Sequence, residues 1–285
     1  METSTRLAID GVDMFVVSEG SGPPVFVLGG PWFGHYYLRQ LHRELAKHCY
    51  VIAYDARGAG QSSALTQNQI TIAGHLRDLD QLRHALNVEK MNIVGHSMGA
   101  LVSLLYAAQH PAPMASLVLL HPGPPFDQEL QETLHRAFAS GHLPHERARL
   151  KELSSSPAFA SRDPKTHEEY FKILYSPFFM DRANLTQLDF AFTETTAQYA
   201  LEAEERLLAD ILEQDPTAKV SRVKCPTLVV HAEHDLIPEA FSRQLADGIT
   251  GAEYLRLPGL GHFAFLEDPS RSIPPIIEFL TRTAR

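Results

Sequence analysis

Ser97 stands in the segment Gly95-His96-Ser97-Met98-Gly99, with a glycine two residues to either side. A serine hydroxyl is a weak nucleophile until a general base takes its proton and a third group orients that base. The chain supplies both further on, Asp235 in Glu233-His234-Asp235-Leu236-Ile237-Pro238 and His262 in Gly259-Leu260-Gly261-His262-Phe263. Such a set attacks a carbonyl carbon and leaves transient negative charge on its oxygen, which backbone N–H groups must stabilise. Met98 N–H, directly after the serine, is one donor. Gly29-Gly30-Pro31-Trp32-Phe33-Gly34 is the source of a second, and because Pro31 has no N–H, Gly30 is the expected donor. Trp32 and Phe33 are candidates to line an apolar substrate pocket beside the reacting carbon, with plain packing as their competing role.

Each assignment has a rival. A Gly-x-Ser-x-Gly match arises by chance on the order of once in ten chains of this length, so its surroundings must decide. Here the apolar run Asn92-Ile93-Val94 leads into the motif and Ala100 to Tyr106 leaves it with helical periodicity. A sharp strand-to-helix turn of this kind pushes the hydroxyl out of a sheet and sets Met98 at a helix N-terminus. Among 15 histidines, His262 is singled out by its Gly-rich turn after a strand. Glu233 and Asp127 compete with Asp235 for the orienting acid. The cluster His231, Glu233, His234 and Asp235 suggests a metal, yet strand alternation would send those side chains to different faces, so no metal and no cofactor is expected.

The elements that must position these residues alternate between short apolar runs and helical stretches, the signature of a sheet with crossover helices. Strands are expected at Arg6 to Asp10 and Met14 to Ser18 (a hairpin around Gly11), Val25 to Leu28, Tyr50 to Tyr54, Met91 to Val94, Leu117 to Leu120, Thr227 to His231 and Glu253 to Leu257. Helices are expected at Tyr36 to Lys47, Thr71 to Leu86, Met98 to Gln109, Pro238 to Leu245 and Pro269 to Thr281. After His121-Pro122-Gly123-Pro124-Pro125 the alternation gives way to charged amphipathic helices. The expected organisation is a core of residues 1–125 and 220–285, with a helical insertion at 126–219.

The chain has 285 residues and 44% hydrophobic content, enough for one large core. Its formal net charge of -9 is spread along the sequence rather than gathered in a tail, which favours solubility and speaks against a nucleic-acid partner. The first residues are polar and no apolar run reaches the roughly 18 residues of a membrane span, so a soluble cytoplasmic protein with a small-molecule substrate is expected. The two cysteines, Cys49 and Cys225, lack metal-ligand spacing and are expected as free thiols. The oligomeric state is left open.

With these motifs in view, the chain resembles the α/β-hydrolase superfamily over nearly its whole length. Tyr54-Asp55-Ala56-Arg57-Gly58-Ala59-Gly60-Gln61-Ser62-Ser63 is similar to a structural segment of that superfamily, and the order Ser97, Asp235, His262 is its triad order. The resemblance implies a mostly parallel eight-stranded sheet flanked by helices and a helical cap over the active site. It also implies that the strands led by Cys49 and Cys225 are not neighbours. Gly29-Gly30-Pro31 is most similar to the His-Gly-Gly-Pro-Gly loop of proline iminopeptidase-like enzymes, although Leu28 replaces the His and Trp32 the last Gly. Those enzymes use cap carboxylates to hold a substrate ammonium, for which Glu194, Glu202, Glu204 and Glu205 are the candidates. Serine at 97 separates the chain from relatives with an aspartate nucleophile. Ester, amide, lactone and carbon-carbon bond hydrolysis stay open, as does a non-catalytic ligand-binding protein on the same fold.

Overall fold

A computed structural model describes residues 2–63 and 69–283. Its eight strands are β1 (Thr3–Ile9), β2 (Val12–Gly20), β3 (Pro24–Leu28), β4 (Tyr50–Tyr54), β5 (Met91–His96), β6 (Met114–Leu120), β7 (Thr227–Ala232) and β8 (Glu253–Leu257). They form one sheet in the order β1-β2-β4-β3-β5-β6-β7-β8. β1 pairs antiparallel with β2, and β2 with β4; every other pairing is parallel. The opening hairpin turns through Asp10 (φ 48°) and Gly11 (φ 77°), two consecutive left-handed residues that match the twist of the strands they join.

Crossover helices explain why the inner strands read as unbroken apolar runs: all residues of β5 and of β7 are buried, as they must be with both faces of the sheet covered. The helices before β6 are α1 (Arg39–Leu45), α2 (Ile72–Ala85) and α3 (Met98–Gln109). α3 is buried along nearly its whole length and packs on β3, β5 and β6. The expected helix from Tyr36 begins instead as a 3-10 turn, His35–Leu38, and passes into α1.

Between β6 and β7 every described element is helical: α4 (Gln128–Gly141), α5 (Pro144–Ser154), α6 (Pro157–Ala160), α7 (Pro164–Leu174) and α8 (Glu194–Gln214), joined by 3-10 turns. The last helices are α9 (Glu239–Gly248), α10 (Ala264–Glu267), α11 (Pro269–Ser272) and α12 (Pro274–Thr283). One helix was expected over Pro269 to Thr281, but a break falls at Ile273, just before the adjacent Pro274 and Pro275. A proline has no N–H for the helical ladder and constrains the residue before it.

The segment Tyr54 to Ser63 holds the loop above β4. Asp55 accepts from His35 N–H (2.8 Å) and Gln61 N–H (2.7 Å), and Arg57 Nε donates to Asp78 Oδ2 at 2.6 Å with both side chains almost fully buried. Cys49 and Cys225 are both free and buried. Among the described residues, no helix is long and apolar enough to cross a membrane.

Candidate active site

β5 runs straight into α3 with Ser97 alone between them, and the serine takes φ 58° and ψ -124°. A residue with a Cβ pays of order 1–3 kcal/mol for such a backbone, so the turn is held by its surroundings. The two flanking glycines are needed for contact rather than freedom. A Cβ on Gly95 would sit 2.5 Å from both Gly99 O and Ser103 Oγ, and one on Gly99 would sit 2.5 Å from Leu28 O. Ser97 N–H donates to Leu120 O at 3.0 Å, tying the turn to β6. Met98 is the first residue of α3, so its N–H lies outside the helical ladder and at the positive end of the helix dipole.

β7 and β8 deliver the other two groups. Asp235 Oδ1 accepts from Ile237 N–H (3.0 Å) and Oδ2 from His262 Nδ1 (2.8 Å). The Asp235 side chain is 0% exposed and that of His262 2%. With Nδ1–H given to the carboxylate, Nε2 is the nitrogen left to accept a proton. His262 N–H is itself held by Phe178 O (2.9 Å) from the helical stretch between β6 and β7, and Gly261 N–H by Glu267 Oε2 (3.2 Å). The rival acids face elsewhere: Glu233 accepts from Arg256 and Gly259 N–H, and Asp127 caps α4 through Glu129 and Leu130 N–H. The suspected metal cluster is split, because His231 bonds Ser242 Oγ while Glu233 and His234 are exposed.

Two buried imidazoles beside the pair were not singled out in the sequence. His121, which directly follows β6, has Nδ1 4.0 Å from Asp235 Oδ2 and no hydrogen-bond partner on either nitrogen. His96, the residue before Ser97, packs its ring 4.7 Å from that of His262 and places Nε2 3.0 Å from His262 O. Burial first, and then the neighbouring His262, hold both well below the usual histidine range, so both are neutral. Their positions at the ends of β6 and β5 were the available signal.

The loop after β3 behaves differently from expectation. Gly30 N–H donates to the Tyr37 hydroxyl at 2.8 Å, so it is already engaged. Phe33 serves chiefly as packing, stacked on Phe190 at 4.1 Å and edge-on to Phe171 and Tyr175, which fastens the loop to the helical stretch between β6 and β7. It also borders a small void with Gly30, Trp32, Tyr37, Ser97 and His262. Trp32 reaches further, lining both that void and a cavity of about 360 Å³ that Ser97 and Met98 floor and that Leu134, Phe138, Leu174 and Phe178 help to roof.

Of the four glutamates Glu194, Glu202, Glu204 and Glu205 on α8, only Glu204 borders this cavity. It accepts from Tyr175 Oη at 2.5 Å, and burial pushes its pKa up to about 7. Glu202 pairs with Arg162, while Glu194 and Glu205 are exposed. Among the described residues no cluster of three or more His, Cys, Asp or Glu could hold a metal ion.

A family model described as alpha/beta hydrolase fold matches residues 23–269. Similar relatives include a protein of Variovorax paradoxus (strain S110) named as a carbamate hydrolase, RutD, 29% identical over 236 residues and covering 82% of each chain. Another is the proline iminopeptidase of Lactobacillus helveticus (strain DPC 4571), 26% identical over 281 residues and covering 93% of this chain and 92% of its own. Among solved structures, the enol-lactonase from Burkholderia xenovorans LB400 superposes with a TM-score of 0.67 at 22% identity, over 97% of this chain and 100% of the other.

Proposed function

The chain belongs to the alpha/beta hydrolase fold family, and from that premise we propose that it is a serine hydrolase that cleaves a small-molecule carboxylic ester or amide through Ser97, His262 and Asp235. The observation that carries this is the buried 2.8 Å contact between His262 Nδ1 and Asp235 Oδ2, made beside a void that Ser97 also lines. His262 Nε2 takes the proton of Ser97 as Oγ attacks the carbonyl carbon. The Met98 and Gly30 N–H groups receive the oxyanion, and Asp235 stabilises the imidazolium. Collapse of the tetrahedral intermediate expels the leaving group, which takes the proton back from His262. A water deprotonated by the same nitrogen then releases the acyl group from Ser97.

The hydrolase relatives support bond cleavage by water as the reaction class. Substituting Ser97→Ala is expected to remove nearly all turnover of a short-chain aryl ester while leaving substrate binding, because what survives comes from binding and the oxyanion donors alone. Activity within tenfold of the unsubstituted protein would sink the assignment.

A second substrate choice, an aminopeptidase-like one, draws support from Glu204. A carboxylate in an otherwise largely apolar cavity is suited to a substrate ammonium, which it would hold once ionised. A panel of amino-acid arylamides, lactones, vinylogous diketones and neutral esters separates this from the lactonase and carbon-carbon alternatives. Failure of every class to turn over, together with no labelling by a fluorophosphonate, would leave a ligand-binding protein.

A further inference from the structure

The engaged state of Gly30 leads to a role for two buried residues that the triad does not use. His96 donates from Nε2 to the carbonyl of His262 (3.0 Å), since a carbonyl can only accept. A neutral imidazole with Nε2–H has a bare lone pair on Nδ1, so the Tyr37 hydroxyl 3.3 Å away must be the donor there. Burial holds the Tyr37 phenol well above its usual range, which keeps that proton in place. With its hydrogen directed at His96, the Tyr37 oxygen is free to accept from Gly30 N–H at 2.8 Å. One directed chain therefore runs from Gly30 N–H through Tyr37 and His96 to the backbone of His262. It joins the loop after β3, the residue before the nucleophile, and the loop of the base.

We infer that Tyr37 and His96 are positioning residues, which fix the Gly30 peptide at the wall of the void beside Ser97 by holding its N–H on the Tyr37 hydroxyl, and release that N–H to the oxyanion when charge develops there. The role rests on the serine-hydrolase mechanism proposed above. The N–H turns from the phenol oxygen to the substrate oxygen as the latter becomes an oxyanion, a far stronger acceptor than a neutral oxygen, and a Gly30 peptide no longer fixed at that wall loses part of this interaction. The donor is thus realised mainly in the transition state, which acts on kcat rather than on KM.

Tyr37→Phe keeps the ring that packs against Phe33 and Phe263 and removes only the hydroxyl. Its expected effect is a fall in kcat of about tenfold with KM changed less than about twofold, below the full loss of an oxyanion donor because Gly30 itself remains. His96→Leu, which removes both the acceptor for the Tyr37 hydrogen and the donor to the His262 carbonyl, is expected to act in the same direction. Combining them should cost no more than the worse single variant, since both break one chain. Additive losses, or an unchanged kcat in Tyr37→Phe, overturn the inference. If Tyr37→Phe does not fold, His96→Leu alone decides by the same split of kcat and KM. Fluorophosphonate labelling of the unsubstituted chain separates the two layers. Labelling with no kcat effect refutes only the positioning role, whereas no labelling refutes the mechanism and the role with it.

Discussion

Replacing Asp235 by Asn tests the catalytic geometry with almost no change of shape. In the native site Oδ1 accepts from Ile237 N–H at 3.0 Å and Oδ2 from His262 Nδ1 at 2.8 Å, with the carboxylate wholly buried. An asparagine that keeps its oxygen on Ile237 turns its amide N–H toward the imidazole. Two N–H groups cannot face each other at this distance, so His262 must become the Nε2–H tautomer, with Nδ1 accepting from the amide. Nε2 then presents a hydrogen to Ser97 instead of a lone pair, and the base is lost although every atom is nearly in place. The expected loss in kcat at neutral pH is about 10³ to 10⁴, or roughly 4 to 5.5 kcal/mol of transition-state stabilisation. Initial rates on a short-chain aryl ester measure this, with a thermal melt to show that the fold survives. Glu233→Gln and Asp127→Asn serve as controls and should stay within about twofold of the native rate, because those carboxylates serve a surface pair and a helix cap. An Asp235→Asn variant within tenfold of native kcat, or a large loss in either control, would refute the assignment of the acid.

Gly99→Ala should destabilise by about 2 to 3 kcal/mol in a urea melt, because the new Cβ would meet Leu28 O at 2.5 Å. The same change at an open helix position would stabilise by about 1 kcal/mol, so even the sign is diagnostic. Glu204 has a pKa raised on folding from 4.5 to about 7, so the native state binds its proton more tightly than the unfolded chain does. Stability from this group is therefore present at pH values below about 4.5, falls as pH rises through about 7, and is regained in Glu204→Gln by roughly 2 to 3 kcal/mol at pH 8. Melts at pH 5 and pH 8 read the difference, and a variant that is not selectively stabilised at pH 8 contradicts it. Asp78→Ala leaves the buried Arg57 guanidinium without its main partner and should cost about 3 to 5 kcal/mol in the same melts, with kcat of the folded fraction unchanged.

The sequence by itself determined the strand-turn-helix around Ser97, because that signal is local: an apolar run, glycines two residues to either side, and helical periodicity beyond. It also determined the order of strands along the chain, since burial on both faces leaves continuous apolar runs such as Thr227 to Ala232. The break at Ile273 is also written in the sequence, in Pro274 and Pro275, whose local constraint outweighs the helical periodicity over Pro269 to Thr281. Other features depended on how the elements dock. Glu194, Glu202, Glu204 and Glu205 share one helix, where each residue turns by about 100°, and only the azimuth at which α8 packs selects Glu204 for the cavity. Asp235 meets His262 and His121 because β6, β7 and β8 lie side by side, a pairing that no local pattern encodes. Gly30 was the expected second donor from the absence of an N–H on Pro31. That its hydrogen already points at Tyr37 follows from a ring brought in by the next turn and oriented by His96, a residue 59 positions from that tyrosine. Local chemistry could name the groups able to react, whereas the partners that aim and restrain them are set by long-range packing.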